Sequence, residues 1–275
     1  MRLGIFAKTF ARSTVEGVFD AVRAHGLGCV QFNMACAGLP TLPEELAPSL
    51  ITHIREAAVS RSIEIAAVSG TYNMIHPDPQ VQESGLRRLR ILAAACQELE
   101  TDVITLCTGT CDTRDMWHWH PENTSAGAWS ALLHAMEAAL HIAEEERVTL
   151  AFEPERANVV SNAVQGRRLL NAMQSSRLKV VIDPANLLMS GDERQRREVL
   201  DEAFDLLGEH IVIAHAKDRG EDDAVRTAGE GIVDYERYIC LLQEIGFAGP
   251  LLLHGLREEQ VDVAFQFLSS KLQRR

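Results

Sequence analysis

The sequence predicts one α/β domain over residues 1–275, folded as a closed (β/α)8 barrel, the TIM-barrel architecture. Short apolar segments alternate with longer amphipathic segments eight times, without a linker or a change of composition. The apolar segments barely alternate in polarity, which is typical of parallel strands that are covered on both faces. No G-x-G-x-x-G follows an early strand, so an open dinucleotide-binding sheet is disfavoured. Eight such units in 275 residues fit a closed barrel instead.

Eight short apolar runs are predicted to form the barrel strands. Their length and their aliphatic content are those of buried strands. In chain order, the predicted strands are Leu3–Ala7, Cys29–Phe32, Ile63–Val68, Asp102–Cys107, Val148–Phe152, Lys179–Ile182, Ile211–Ala214 and Pro250–Leu253. Because parallel barrel strands all point the same way, their carboxyl ends should emerge on one face.

A helix is predicted after each strand from helix-spaced apolar residues and from capping residues. In the first helix, Ser13 and Glu16 have the spacing of a capping box, and Gly26 marks the end. The predicted helices are Thr14–His25, Pro43–Arg61, Pro79–Leu99, Asn123–Arg147, Ser161–Gln174, Asp192–Leu207, Asp234–Ile245 and Arg257–Leu268.

Composition narrows the classes of partner. The formal net charge is -12 without a clustered Lys/Arg face, which argues against a nucleic-acid partner. The six cysteines form no C-x-x-C pair, the N-terminus has no secretory signal pattern, and no apolar run reaches membrane-spanning length. We therefore expect a reduced, cytoplasmic protein with a small-molecule substrate and no membrane contact. Barrels of this type often associate, so a homo-oligomer is compatible with the sequence.

Four metal-competent side chains follow four consecutive predicted strands, the fifth to the eighth: Glu153, Asp183, His215 and His254. A single such residue could merely cap a helix or fill the core. Four on neighbouring strands at the same face are hard to explain in that way. Two carboxylates and two imidazoles suit Mn²⁺, Zn²⁺, Co²⁺ or Fe²⁺, whereas Mg²⁺ prefers an all-oxygen shell.

The motifs at the strand ends resemble those of a known family. They are Val68–Asn73, Glu153–Pro154–Glu155, Asp183–Asn186, His215–Asp218 and Gly229–Asp234. With these motifs the chain resembles, over essentially its whole length, the sugar phosphate isomerase/epimerase family of xylose-isomerase-like TIM barrels. The motifs are specific to the superfamily but not to one substrate.

The resemblance implies a divalent metal ion held by Glu, Asp, His and a final Glu. The first three correspond to Glu153, Asp183 and His215, whereas His254 replaces the final Glu. In family isomerases and epimerases, the first and last glutamates exchange a proton at carbon through an enediolate. The resemblance therefore implies that Glu153 and His254 are catalytic and that the substrate is a small sugar, sugar phosphate or polyol. An imidazole can act as a base near neutral pH or stay on the metal.

Five further residues are predicted to contact the substrate. Lys217 follows His215 and could bind a substrate oxygen or a phosphate, although an ion pair with a neighbouring aspartate explains it equally well. Glu155 and Arg156 lie just past the fifth strand. His76 and Trp117 lie in loops at the same face, where aromatic walls often line sugar pockets; support of the long loop is an equal interpretation.

Three other functions are compatible with parts of this pattern. AP endonucleases share the superfamily, but Asn186 stands where their Asp-x-x-His motif has a histidine, and their Asp-x-His is missing after His215. A non-catalytic barrel that binds a sugar or a partner stays open because His254 departs from the family. A dehydratase that acts on a sugar acid or cyclic polyol would use the same proton abstraction.

Overall fold

In a computed structural model, which describes residues 1–273, eight parallel strands close into a barrel, and this confirms the predicted fold. The barrel strands are β1 (Arg2–Phe6), β2 (Cys29–Phe32), β3 (Glu64–Ser69), β4 (Val103–Leu106), β5 (Thr149–Phe152), β6 (Leu178–Ile182), β7 (Ile211–Ala216) and β10 (Pro250–Leu253). Each strand pairs with its sequence neighbours in the barrel, and β1 pairs with β10 to close the ring.

Nine α-helices lie in the described residues. They are α1 (Val15–Ala24), α2 (Pro48–Ser60), α3 (Pro79–Cys96), α4 (Ala126–Glu146), α5 (Ala163–Met173), α6 (Pro184–Leu187), α7 (Glu193–Leu207), α8 (Tyr235–Glu244) and α9 (Val261–Gln273). The short α6 was not predicted. None of these helices has the length and apolar character needed to cross a membrane.

Capping residues set most helix starts, and several predicted starts need correction. The hydroxyl of Thr14, not of Ser13, caps α1 by accepting from the N–H of Gly17, and because glycine has no side chain to reach back, the predicted capping box does not form. The α2 helix begins at Pro48 rather than at Pro43, and a proline in the first turn suits either start. The α4 helix begins at Ala126 rather than Asn123, and α9 at Val261 rather than Arg257, because a 3₁₀ turn precedes each of them. Asp192 and Asp234 cap α7 and α8, close to the predicted starts.

A small antiparallel hairpin follows β7, formed by β8 (Asp218–Arg219) and β9 (Val225–Arg226). It was not predicted, because its strands are polar and only two residues long. Nε of Arg219 donates to the carbonyl oxygen of Ala185 in α6, which follows β6 directly, at 2.7 Å. The hairpin is therefore attached to the face of the barrel on which the strands end.

Two apolar layers form the core. The larger one fills the space between strands and helices. The smaller one lies apart from it and is contributed by six strands: Cys29, Ala67, Ala151, Val181, Ile213 and Leu252. Because side chains two residues apart in a strand share a face, the residues two positions further along should form the next layer.

Candidate metal centre and active site

The smaller apolar layer, Cys29 to Leu252, is here called the inner apolar layer. Two residues further along each of its six strands, the side chain is polar. The members of this polar layer are Gln31, Ser69, Glu153, Asp183, His215 and His254. This spacing explains why side chains from six strands converge: the apolar layer fills the barrel, and the next layer faces its open end. All four predicted metal ligands belong to this layer.

Three of the predicted ligands come close enough together to hold one ion. Asp183, His215 and His254 each offer a ligand atom, and these atoms lie within 4.8 Å of one another. Oδ2 of Asp183 and Nδ1 of both histidines are buried without a hydrogen-bond partner. Buried polar atoms normally have partners. One carboxylate and two neutral imidazoles suit a divalent transition metal, so these residues fit a bound ion.

Glu153, the fourth predicted ligand, lies beside this group but does not join it. Its Oε1 is 3.5 Å from Nδ1 of His215 and accepts a hydrogen bond from Nδ2 of Asn186 at 2.7 Å. The Glu153 side chain is 20% exposed, whereas that of Asp183 is fully buried. Glu153 is thus the carboxylate of the centre that a substrate can reach more easily.

Lys217 places a positive charge against the buried carboxylate. Its Nζ is 2.9 Å from Oδ2 of Asp183, without the angles of a hydrogen bond, and donates to Oδ1 of Asn186 at 2.7 Å. Although burial lowers the pKa of Lys217, the Asp183 and Glu153 carboxylates raise it above its usual value. Burial conversely raises the pKa of Asp183, but Lys217 and His215 outweigh it and lower that pKa. The sequence was compatible with either an ion pair or a substrate contact for Lys217. The structure contains the ion pair with Asp183.

A hydrogen-bond relay orients His215. Its Nε2 lies 3.0 Å from Oε1 of Gln31, while Nε2 of Gln31 donates to the hydroxyls of Ser69 and Thr105 at 3.0 and 3.1 Å. In this orientation of the amide, its oxygen accepts a hydrogen bond from the Nε2–H of His215. This tautomer leaves Nδ1 free beside the carboxylates, as in metal sites whose ligating histidines donate their other N–H.

Sequence reasoning missed Gln31. The signal was present, since it is a polar residue inside the apolar strand Cys29–Phe32 and lies two residues after the inward-facing Cys29. Its hydrogen-bond partner, His215 on β7, could not be identified from the sequence.

The two histidines are stacked and carry opposite pKa shifts. Their ring centroids are 4.8 Å apart with an interplanar angle of 5°, and the ring of Phe6 lies 5.0 Å from that of His254. Burial opposes protonation of His215, but Glu153 and Asp183 raise its pKa to about 9. Burial and then the charge of His215 lower the pKa of His254 well below its usual value. A metal ion lies near the plane of each imidazole that binds it, so one of these parallel rings must rotate for both to hold the same ion.

Glu155, another predicted substrate contact, feels the charges of the centre. Burial, and then the charge of Glu153, raise the pKa of Glu155. Arg156 pairs with Asp223 of the hairpin, with 2.6 Å between Nη1 and Oδ1. This ion pair ties the loop after β5 to the hairpin, so Arg156 already has a carboxylate partner.

His76 and Trp117 lie in loops. Nδ1 of His76 accepts from the N–H of Asp78 at 3.0 Å, and its Nε2 is 3.3 Å from the carbonyl oxygen of Thr113. Both ring nitrogens of His76 thus have backbone partners that stabilise its loop. Trp117 is 54% exposed. Substrate binding by these two residues stays a prediction.

A pocket of about 620 Å³ opens beside His254. Its walls come from the turn after β1, from the segment around β9 and from the segment after β10: Phe6, Lys8, Thr9, Val225, Arg226, Thr227, Glu230, His254, Gly255, Leu256, Arg257 and Gln260. Glu153, Asp183 and His215 are not part of its lining. His254 is therefore the residue through which this pocket touches the centre.

Comparisons with known proteins agree with the fold. The crystal structure of 3-keto-D-glucoside 4-epimerase YcjR from E. coli is similar at 14% identity and a TM-score of 0.76, over 98% of this chain and 99% of that one. D-psicose 3-epimerase from Clostridium cellulolyticum H10 matches at 14% identity and a TM-score of 0.75, over 99% of each chain. A probable 3-DHS dehydratase from Bacillus anthracis matches at 12% identity and a TM-score of 0.78, over 100% of each chain.

At these identities, the likeness shows the shared fold. A search of curated proteins found no significant match. The profile of one family, described as xylose isomerase-like TIM barrel, matches residues 19–271. The chain therefore belongs to the xylose isomerase-like TIM barrel family.

Proposed function

We propose that this protein is a divalent-metal-dependent isomerase or epimerase of a small sugar, sugar phosphate or polyol. The observation that carries the proposal is the group of buried ligand atoms without hydrogen-bond partners on Asp183, His215 and His254. Membership of the family supports it, as do the two epimerases among the similar structures. The two imidazoles favour Mn²⁺, Zn²⁺, Co²⁺ or Fe²⁺ over Mg²⁺.

The chemistry divides between the ion and the side chains of this chain. Asp183 and His215 would hold the ion, with His254 completing the set after its ring rotates and Glu153 next to it. A bound divalent ion would act as a Lewis acid that polarises the substrate carbonyl and acidifies the neighbouring C–H. Gln31 keeps the Nδ1 of His215 free for this purpose.

Glu153 is the proposed base that removes the proton from carbon. Its side chain is partly exposed, and Asn186 holds one of its oxygens in place. Returning the proton to a neighbouring carbon gives isomerisation. Inversion at the same carbon needs a second group on the opposite face, and His254 is the proposed partner.

A dehydratase is the second candidate, and the pKa of His254 favours it. Burial lowers that pKa, so His254 is a weaker base than an ordinary histidine. In the elimination of water next to a carbonyl, Glu153 could remove the proton from carbon and return it to the hydroxyl that leaves as water, so a second base is not needed. The structural likeness to a probable 3-DHS dehydratase is consistent with this alternative.

Hydrogen exchange at carbon tests the proposal for any of the candidate products. The protein is stripped of metal, reloaded with Mn²⁺, Co²⁺, Zn²⁺ or Mg²⁺, and incubated in D₂O with ketoses, keto-glycosides, sugar phosphates and keto-acids. Proton NMR then follows the loss of the C–H signal beside the carbonyl. We expect exchange that depends on the metal: a new stereoisomer indicates an epimerase, a new position of the carbonyl an isomerase, and loss of water a dehydratase.

Matched variants make this experiment decisive. Asp183→Asn should abolish both metal uptake and exchange, whereas Asp205→Asn, an exposed carboxylate on α7, should change neither. His254→Glu restores the ligand set that the family resemblance implies and should retain metal. A non-catalytic barrel is indicated if the wild-type protein takes up no metal, exchanges no proton, and gains neither property from His254→Glu.

A further inference from the structure

The pocket beside His254 has the size of a small-ligand site and an unusual balance of charge. Its volume of about 620 Å³ falls within the range of pockets that enclose small molecules. Lys8, Arg226 and Arg257 line it, against a single carboxylate, Glu230. The whole chain carries a net charge of -12, so this excess of positive charge is local.

Lys8 is the cation of this pocket that is free to bind a ligand. Arg226 pairs with Asp222, with 2.5 Å between Nη2 and Oδ2. Arg257 lies 3.7 Å from Glu259, and both of these side chains are about four-fifths exposed. Lys8, in contrast, has no carboxylate partner among residues 1–273. Lys8 is exposed at the pocket, and an ammonium group without a counter-ion can receive an anion.

The chain positions Lys8 two residues past the end of β1, on a short 3₁₀ turn, Ala7–Thr9. Phe6, which ends β1, packs its ring 5.0 Å from the ring of His254. The charge of Lys8 is also among the influences that lower the pKa of His254. Lys8 and His254 therefore face one pocket, and a molecule in this pocket can reach both of them.

We propose that this pocket binds an acidic substituent of the substrate, a carboxylate or a phosphate, through Lys8. Thr9 and Gln260, which also line the pocket, carry further hydrogen-bonding groups. The substrate is then an acidic sugar derivative, with its charged end at Lys8 and its reacting carbon towards His254. That this ligand is a substrate rests on the proposed function, whereas binding of the anion does not.

The test measures binding without turnover. Wild-type protein is titrated with inorganic phosphate, D-ribose 5-phosphate, D-glucuronate and the neutral sugar D-fructose, and the amide resonances of Thr9 and Gly255 report binding in this pocket. We expect at least one acidic sugar to bind more tightly than D-fructose and to bind more weakly as salt is added. Preference for D-ribose 5-phosphate identifies a phosphate site, and preference for D-glucuronate identifies a carboxylate site.

Charge variants with opposite expected signs test the role of Lys8. Lys8→Gln should weaken binding of the acidic sugar about tenfold, as expected for loss of a charge-assisted hydrogen bond. Glu230→Gln should strengthen it, because it removes the carboxylate of the pocket. Lys271→Gln removes the same charge from α9, where Lys271 pairs with Glu236 of α8, and should leave binding unchanged.

The proposal is wrong if neither acidic sugar shifts these resonances, if D-fructose binds as tightly as they do, or if Lys8→Gln binds them as the wild type does. Asp183→Asn separates this proposal from the proposed function. It should lose proton exchange and yet keep binding of the acidic sugar, because Asp183 does not line the pocket.

Discussion

At the scale of single residues, the centre is defined by buried atoms that lack hydrogen-bond partners. Nδ1 of His215 and of His254 and Oδ2 of Asp183 are buried without hydrogen bonds, and such atoms destabilise a fold unless something binds them. Gln31 leaves Nδ1 of His215 without a partner because it forms its hydrogen bond with the other ring nitrogen, Nε2. The unpartnered state of Nδ1 is thus a consequence of the fold around it.

The role of Gln31 gives the first prediction. Gln31→Leu should weaken metal binding about 10–100-fold, because the tautomer and the ring orientation of His215 are no longer fixed. Gln31→Glu keeps an acceptor for Nε2–H and should retain most of the affinity. Titration of the metal-free proteins with Zn²⁺ or Mn²⁺ measures both values. Equal affinity in Gln31→Leu and wild type would show that the relay does not orient the ligand.

Proton release on metal binding gives the second prediction. The Glu153 and Asp183 carboxylates, working against burial, raise the pKa of His215 to about 9, so at pH 7.5 the metal-free protein carries a proton that the ion must displace. We expect about one proton to be released per ion, and the affinity to rise with pH up to about 9. Calorimetry in buffers with different ionisation enthalpies counts the protons. Binding that is independent of the buffer would mean that His215 is already neutral.

At the scale of elements, the sequence predicted where the strands deliver their side chains, because the carboxyl ends of parallel strands meet on one face. That rule placed Glu153, Asp183, His215 and His254 together, although it does not predict the strand register. It could not foresee that His215 and His254 stack, since ring orientation depends on packing against Phe6. It also could not foresee that Glu153 turns towards Asn186.

The segment after the hairpin gives the third prediction. The buried Asp218 carboxylate accepts hydrogen bonds from four backbone N–H groups, those of Arg219, Gly229, Gly231 and Val233. Asp218→Ala would leave one buried and three partly buried donors without this acceptor and should lower the free energy of unfolding by roughly 1–3 kcal/mol. Chemical denaturation measures the change. The exposed Asp205→Ala should stay within about 0.5 kcal/mol of the wild type, and a similarly small effect of Asp218→Ala would contradict this role of the carboxylate.

At the scale of the whole molecule, the eight repeats of strand and helix could be predicted from the sequence because each repeat has its own apolar pattern. The hairpin β8–β9 could not be predicted from the sequence, since its strands are short and polar and its position depends on contacts with distant residues. Those contacts join it to Arg156 and to Ala185 of α6. The sequence therefore predicts the barrel and the convergence of the strand-end side chains, but not the hairpin beside them.

The fourth prediction concerns the pH dependence of stability without metal. The pKa of His215 is higher in the folded than in the unfolded protein, so its stabilising contribution is fully present below about pH 6.5 and is lost as the pH rises through about 9. The melting temperature of the metal-free protein should therefore fall over that interval. Bound metal, which holds His215 deprotonated, should reverse the trend. Calorimetric scans at pH 6.5 and 9, with and without Mn²⁺, provide the comparison, and a melting temperature that rises without metal would be inconsistent with a protonated His215.

We propose above all that Asp183, His215 and His254 hold one divalent ion with Glu153 beside it. Anomalous diffraction from crystals grown with Mn²⁺ or Zn²⁺, collected at the metal edge, tests it most directly. We predict a single strong peak within bonding distance of Nδ1 of His215 and a carboxylate oxygen of Asp183, with the His254 ring rotated out of its stack. An empty centre, in which Lys217 still contacts Asp183 and the two imidazoles remain parallel, would contradict it.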